Sequence, residues 1–229
     1  MPLALFDLDN TLLNGDSDYL WGQFLVELGV VDGPSYKREN ARFYADYREG
    51  RLDILAFLRF SLRPLAQHRM QDLHAWRTRF MREKIEPLIT EAAEALVARH
   101  RAAGDTLMII TATNAFVTAP IAERFGISEL IATEPETNDG RFTGNVAGTP
   151  CFQEGKVVRL MEWLTENGKS LEHSHFYSDS HNDIPLLEQV DHPVAVDPDP
   201  KLAELARYRR WPIISLRQQQ ENGRLDSHG

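Results

Sequence analysis

Hydrophobic and polar positions follow two different regimes along the 229-residue chain. The first apolar run, Leu3-Ala4-Leu5-Phe6, gives way at once to polar residues, the pattern of a buried parallel strand leaving its sheet. Helical spacing then takes over. Leu20, Phe24, Leu25 and Leu28 share one face of a helix over Asp16–Gly29, with Gly29 as its stop. Further helices are predicted over about 35–48, 53–62 and 67–84. Asp53 is a candidate cap, and Pro64 and Pro87 mark breaks. No strand pattern falls between 13 and 104.

Beyond residue 88 the periods alternate. A helix over 90–103, capped by Thr90 and ended by Gly104, leads into a buried strand, Thr106–Ile110, with Thr111 at its exit. A helix near Ala115–Phe125 and a short strand near Leu130–Ala132 follow. Asp139-Gly140 between two polar-apolar segments signals a hairpin. Glu154 to about Asn167 reads as a helix carrying Val157, Leu160, Met161 and Leu164, closed by Gly168. Strands ending at Tyr177, over Pro193–Val196 and over Ile213–Leu216 alternate with a helix near Ile184–Gln189 and one more after Pro200. Gln218–Gly229 is polar and expected to fray. The alternation predicts an α/β fold, a doubly wound parallel-sheet (Rossmann-like) core with an all-helical insertion after its first strand. The expected division is 1–14 with 88–217 as the core, 15–87 as the insertion and 218–229 as a tail.

Charge sharpens this division. The net charge is −9, which argues against general nucleic-acid binding. Residues 16–87 hold 12 basic and 11 acidic side chains, so the negative balance lies in the remainder. The insertion could therefore offer positive charge opposite an acidic site. The single cysteine, Cys151, excludes an internal disulfide and fits a reducing compartment. No apolar stretch approaches a membrane span, and no basic-then-apolar leader precedes the first strand. The expectation is a cytoplasmic protein with no membrane or nucleic-acid partner. Nothing in the sequence specifies an oligomeric state.

The candidate chemistry sits where strands end. Asp7 and Asp9, in Asp7-Leu8-Asp9-Asn10-Thr11-Leu12, leave the first strand at the sheet edge where open α/β folds bind ligands. One carboxylate can attack an electrophile while the other handles a proton. An Asx-rich turn capping the next helix would explain the same residues locally. Thr111 could hold a phosphate oxygen or cap a helix. Lys156 opposes the dipole of the helix it begins, so a local structural reason for it is lacking. Asp179 and Asp183, four apart across a strand-to-helix turn, can meet on one face and share a hard cation such as Mg²⁺.

Taken in order, Asp7–Leu12, Thr111, Lys156 and Ser178-Asp179-Ser180-His181-Asn182-Asp183 resemble the four motifs of the haloacid dehalogenase superfamily. The resemblance spans roughly residues 3–216, and the helical insertion resembles the small cap of the phosphoserine phosphatase-like branch. It implies that Asp7 is the nucleophile that becomes an aspartyl-phosphate, and that Asp9 is the acid and then the base. It implies Mg²⁺ held by Asp7, the Asp9 carbonyl and Asp179, with Asp183 supporting or joining that shell. Thr111 and Lys156 match the phosphate clamp, and Asn182 a polar residue near the phosphate. Arg59 and Asp16 match the positions that hold a substrate's carboxylate and ammonium.

The implied activity is a Mg²⁺-dependent phosphomonoesterase acting on a small phosphorylated metabolite, phosphoserine-like or an amino-alcohol phosphate such as histidinol phosphate. A phosphotransferase or mutase on the same chemistry, or a non-catalytic phospho-ligand sensor, are the alternatives. Asp16 stands where phosphoserine phosphatases usually carry glutamate, which argues against strict phosphoserine specificity. Ser180-His181 likewise departs from the small Gly-Ala expected there. Trp21, Phe43, Tyr44, Tyr47 and Phe57 could shape a pocket, though helix packing explains most of them. Cys151 has no chemical role in this reading.

Overall fold

The computed structural model describes residues 1–217; the expected tail over 218–229 lies outside them. The strands are β1 (Leu3–Phe6), β2 (Thr106–Asn114), β3 (Glu129–Asn138), β4 (Arg141–Ala147), β5 (His175–Ser178), β6 (His192–Val196) and β7 (Ile213–Ile214). They form one sheet in the order β4-β3-β2-β1-β5-β6-β7. β4 is antiparallel to β3 and every other pairing is parallel. β1 sits in the middle, fully buried, which is why it reads as an unbroken apolar run.

The helices are α1 (Ser17–Glu27), α2 (Gly33–Glu49), α3 (Ile54–Ser61), α4 (Arg63–Gln67), α5 (Met70–Phe80), α6 (Glu91–Ala103), α7 (Ala115–Arg124), α8 (Glu154–Asn167), α9 (Ile184–Leu187) and α10 (Pro200–Arg209). The first five form the all-helical insertion. Its two connections to the sheet run side by side, joined by an antiparallel bridge between Leu13 and Ile89. Pro64 is not merely a break: it sits in the first turn of α4, where its missing N–H costs nothing. α5 carries on through a wider turn over Met81–Ile85, matching the helix predicted over 67–84.

Apolar packing does not stop at the boundary of the insertion. Trp21, Phe24 and Phe80 form an aromatic cluster that reaches Phe116 of α7, and they belong to the same buried cluster as Phe6 and Ile109 of the sheet. A second cluster, with Leu5, Met108, Leu160 and Phe176, fills the other face. The sheet is thus covered on both sides, as a doubly wound fold requires.

Two strands are longer than expected. β2 continues past Ile110 to Asn114, and its register against β3 shifts between those residues. Thr111 is therefore inside the strand and not at its exit. Asn114 caps α7 in its place, accepting from the Val117 N–H at 3.2 Å. β3 runs to Asn138, and the Asp139-Gly140 turn, both residues with positive φ, folds it back onto β4. Among the described residues no helix is long and apolar enough to cross a membrane.

Candidate active site

Parallel strands deliver their carboxyl ends to one edge of the sheet. There Asp7 follows β1, and its N–H donates to the Tyr177 carbonyl of β5 at 2.9 Å. Asp9 is extended and Asn10 left-handed (φ 58°), which turns the chain back toward the sheet edge. An asparagine tolerates that conformation better than most residues.

Lys156 arrives from the start of α8. Gly155 makes this possible: a Cβ there would lie 2.0 Å from the Pro150 carbonyl oxygen. The Lys156 ammonium lies 2.7 Å from Asp7 Oδ1 and 2.7 Å from Asp183 Oδ1. All three side chains are buried. Ser178 Oγ donates to Asp183 Oδ2 at 2.7 Å, so Asp183 is occupied by the lysine and this hydroxyl. The Thr11 hydroxyl accepts from the Asp179 N–H at 3.0 Å. It lies 3.1 Å from Asp179 Oδ1 and 3.4 Å from Asp7 Oδ2.

Electrostatics follow from this crowding. Burial alone would pull the Lys156 ammonium down, but Asp183 and Asp7 more than offset it and hold it above its ordinary value. Burial pushes the Asp7 carboxyl up to about 7, with Lys156 pulling it down and Asp183 pushing it up. Burial also raises Asp179 well above the ordinary range, and Asp7 and Asp183 raise it further. One ammonium among three carboxylates leaves surplus negative charge.

This surplus and the all-oxygen donors suit a hard cation. Asp183 is committed to Lys156, which leaves Asp7 Oδ2 and Asp179 as the available carboxylate oxygens. Among the described residues no group of three His, Cys, Asp or Glu side chains is arranged to enclose a metal. Two carboxylates fit a small ion that keeps several of its waters.

Both oxygens of Asp9 are engaged. Oδ1 accepts from the Ser17 N–H at 2.6 Å and Oδ2 from the Thr113 hydroxyl at 2.7 Å. Burial raises its pKa, against the pull of Ser17 and Thr113. Thr113 escaped sequence reading because β2 was expected to end before it. Asp18 was missed as well, since a carboxylate in the first turn of a helix has an ordinary dipole explanation.

Asp7, Asp9 and Thr111 open into a cavity beneath the helical insertion, together with Asp16 and Asp18. Its apolar wall is Tyr19, Phe43, Tyr44, Tyr47, Phe57 and Phe152. Four of the five aromatics singled out from the sequence thus face the cavity or its rim; Trp21 packs in the core instead. Asp16 also caps α1, accepting from the Tyr19 N–H at 2.8 Å. Arg59 is not brought here. It is exposed and lines a separate groove with Asp32, Glu39 and Arg63. Its helix turns that face away from the sheet edge.

Asn182 is buried and links the sheet to the insertion. It donates to the Tyr47 carbonyl at 3.2 Å and accepts from Gln153 Nε2 at 2.9 Å. His181 contacts Asp199 through Nδ1 at 2.7 Å and lies against Gly50 at the end of α2. Lys201 reaches the Glu49 carbonyl at 3.0 Å, placing a cation at that helix's C-terminus. Cys151 is buried, and burial pushes its thiol up to about 12, so it is inert.

Fold and site together define an α/β enzyme with an aspartate-and-lysine centre at the carboxyl edge of its sheet. The chain belongs to the haloacid dehalogenase-like hydrolase family, whose model matches residues 4–188. It is 46% identical to a histidinol-phosphatase of Neisseria meningitidis serogroup C (strain 8013), over 94% of this chain and 99% of that protein. A crystal structure from Bordetella pertussis Tohama I, of a protein described as of unknown function, superposes with a TM-score of 0.90 at 49% identity, covering 94% of this chain and 99% of that one. A substrate-bound phosphoserine phosphatase shares the fold, with a TM-score of 0.70 at 21% identity, covering 95% and 94%.

Proposed function

We propose that the chain is a Mg²⁺-dependent phosphomonoesterase acting through an aspartyl-phosphate on Asp7, with the phosphate ester of a small cationic amino alcohol as its substrate. Histidinol phosphate is the type of compound meant, and the Neisseria relative named a histidinol-phosphatase supports it. The observation that carries the reading is the cavity over Asp7. It holds Asp9, Asp16 and Asp18, and among its lining residues there is no lysine or arginine.

An Asp7 oxygen attacks phosphorus as the ester oxygen leaves, and Asp9 gives that oxygen its proton. Asp9, now a carboxylate, takes a proton from water as the water attacks the same phosphorus, releasing phosphate and restoring Asp7. Lys156, charged and fixed beside Asp7, offsets the repulsion between carboxylate and phosphate. Thr111 and Asn182 border the phosphate position. Asp7, Asp179 and the Asp9 carbonyl would hold Mg²⁺, which would supply charge neutralisation, and Asp183 orients the lysine. Residues 1–14 and 88–217 act as the catalytic core, and 15–87 as a cap that selects the leaving group. A cytoplasmic setting agrees with the buried free cysteine.

Phosphoserine is the weaker substrate in this reading, because its carboxylate would meet aspartates and no cation. The test is phosphate release from histidinol phosphate, phosphoserine and an aryl phosphate, with Mg²⁺ and with EDTA. Histidinol phosphate should be preferred and EDTA should abolish turnover. A higher kcat/KM for phosphoserine would overturn the substrate assignment.

A further inference from the structure

Asp18 has no role in the chemistry described so far, and beyond its favourable place in the first turn of α1 no side-chain or backbone partner accounts for it. Asp16 already caps α1, and Asp9 already receives the Ser17 N–H. Among the hydrogen bonds and ion pairs of the described residues, none engages the Asp18 carboxylate, although it lines the cavity. It is partly buried in the cavity wall, and burial first, then the charge of Asp9, push its carboxyl up to about 7. A partly buried carboxylate without a partner carries a desolvation cost, and a ligand cation is the simplest way to offset it.

The neighbours narrow the ligand. Asp16 and Asp18 are two residues apart at the start of α1, so the cavity offers two carboxylates beside Asp9. The wall beside them carries Tyr19, Phe43, Tyr44 and Phe57, and aromatic faces attract cations. One ammonium next to the phosphate ester satisfies only one of the two carboxylates.

We propose that Asp18 is a specificity-determining residue that pairs with a second basic group of the substrate, so the cavity selects phosphate esters carrying two cationic groups. Asp16 takes the amine next to the ester, and Asp18 takes a protonated ring or second amine further along. A single-amine ester leaves Asp18 unpaired, and an amino-acid phosphate adds a carboxylate where the cavity is already negative.

This inference rests on the phosphatase reading, and two measurements separate their failures. If wild-type protein with Mg²⁺ releases phosphate from neither histidinol phosphate nor an aryl phosphate, the phosphatase reading fails, and this inference with it. If it releases phosphate from either, inhibition of that reaction by histidinol is compared with inhibition by leucinol, which has the amine without the second basic group. Histidinol should inhibit at about tenfold lower concentration or better near pH 7, where Asp18 is ionised in part and an imidazole of ordinary pKa near 6.5 keeps part of its charge. The gap should narrow above about pH 8, as the imidazole loses that charge. Equal inhibition by the two alcohols overturns the proposal.

The variant test is Asp18→Asn. It should lower the ratio of kcat/KM for histidinol phosphate to that for phosphoethanolamine by about tenfold, mostly through KM. Asp18→Glu should keep the ratio within about threefold of wild type. An unchanged ratio in Asp18→Asn overturns the proposal. If that variant does not fold, the two-alcohol comparison on wild-type protein decides alone.

Discussion

Lys156 and Asp7 form a buried ion pair, Nζ to Oδ1 at 2.7 Å, although 149 residues separate them in sequence. The same nitrogen also serves Asp183, so removing it strands two buried carboxylates. Lys156→Met should lower kcat about 10²- to 10³-fold, the usual effect of losing one charge-stabilising group. In EDTA it should also cost about 3–5 kcal/mol of stability. Denaturant melts and steady-state kinetics on one preparation check both effects.

Asp7→Asn should have opposite effects on activity and stability. Turnover should fall about 10⁴-fold or more if Asp7 is the nucleophile. The metal-free protein should become more stable, by on the order of 1 kcal/mol, because a carboxylate that burial has pushed up to about 7 is removed. Retained turnover in a folded Asp7→Asn protein would refute the covalent route.

Metal-free protein should lose stability as pH rises from about 4 to 7. Asp7 and Asp18 both rise from an ordinary 3.8 to about 7 in the folded chain. Between those values the folded state binds more protons than the unfolded state, so stability falls with increasing pH. The contribution is fully present below about 4 and gone above about 7. Melting temperature in EDTA should thus be higher at pH 5.5 than at pH 8, and Mg²⁺ should recover much of the loss at pH 8. An EDTA melting temperature that climbs over this range contradicts the argument.

Thr113→Val removes the 2.7 Å hydrogen bond to Asp9 Oδ2 with little change of shape. A hydrogen bond to a charged group is worth about 1.5–3 kcal/mol, so kcat should fall about tenfold or more. The carboxylate form of Asp9 also loses a donor, so the acid-side limb of the pH–kcat profile should move upward.

Gly155→Ala tests the entry of the lysine. Its Cβ would meet the Pro150 carbonyl oxygen at 2.0 Å, and backbone cannot yield as a side chain can. The start of α8 must shift, costing about 1–3 kcal/mol and displacing Lys156. A variant with wild-type kinetics and melting temperature would show that the loop before α8 relaxes freely.

Much of this was legible because the hydrophobic period is a strong local signal. β1 is apolar at every position since it is buried on both faces, and Thr90, Gly104 and Gly168 bound their helices as expected. Asp7, Lys156, Asp179 and Asp183 are polar groups at strand ends and a helix start, where sequence exposes them. Thr113 was hidden by a strand that continues four residues past its apolar run, held by pairing with β3 and not by its own composition. Arg59 was misplaced for the opposite reason. A helix position near the cavity says nothing about which face turns inward, and α3 is oriented by packing of Leu58 and Leu62 that spacing alone does not reveal.

The 2.6 Å contact between Asp9 Oδ1 and the Ser17 N–H has a consequence for selectivity. Ser17 lies between Asp16 and Asp18, so the carboxylate proposed to handle the proton is fastened to the segment proposed to meet the leaving group. Such coupling is reciprocal. Whatever pulls α1 toward a bound cation also alters the proton affinity of Asp9, and protonating Asp9 loosens the seat of α1. Two substrates with different cations should then differ in the pH at which they turn over best, and not only in how tightly they bind.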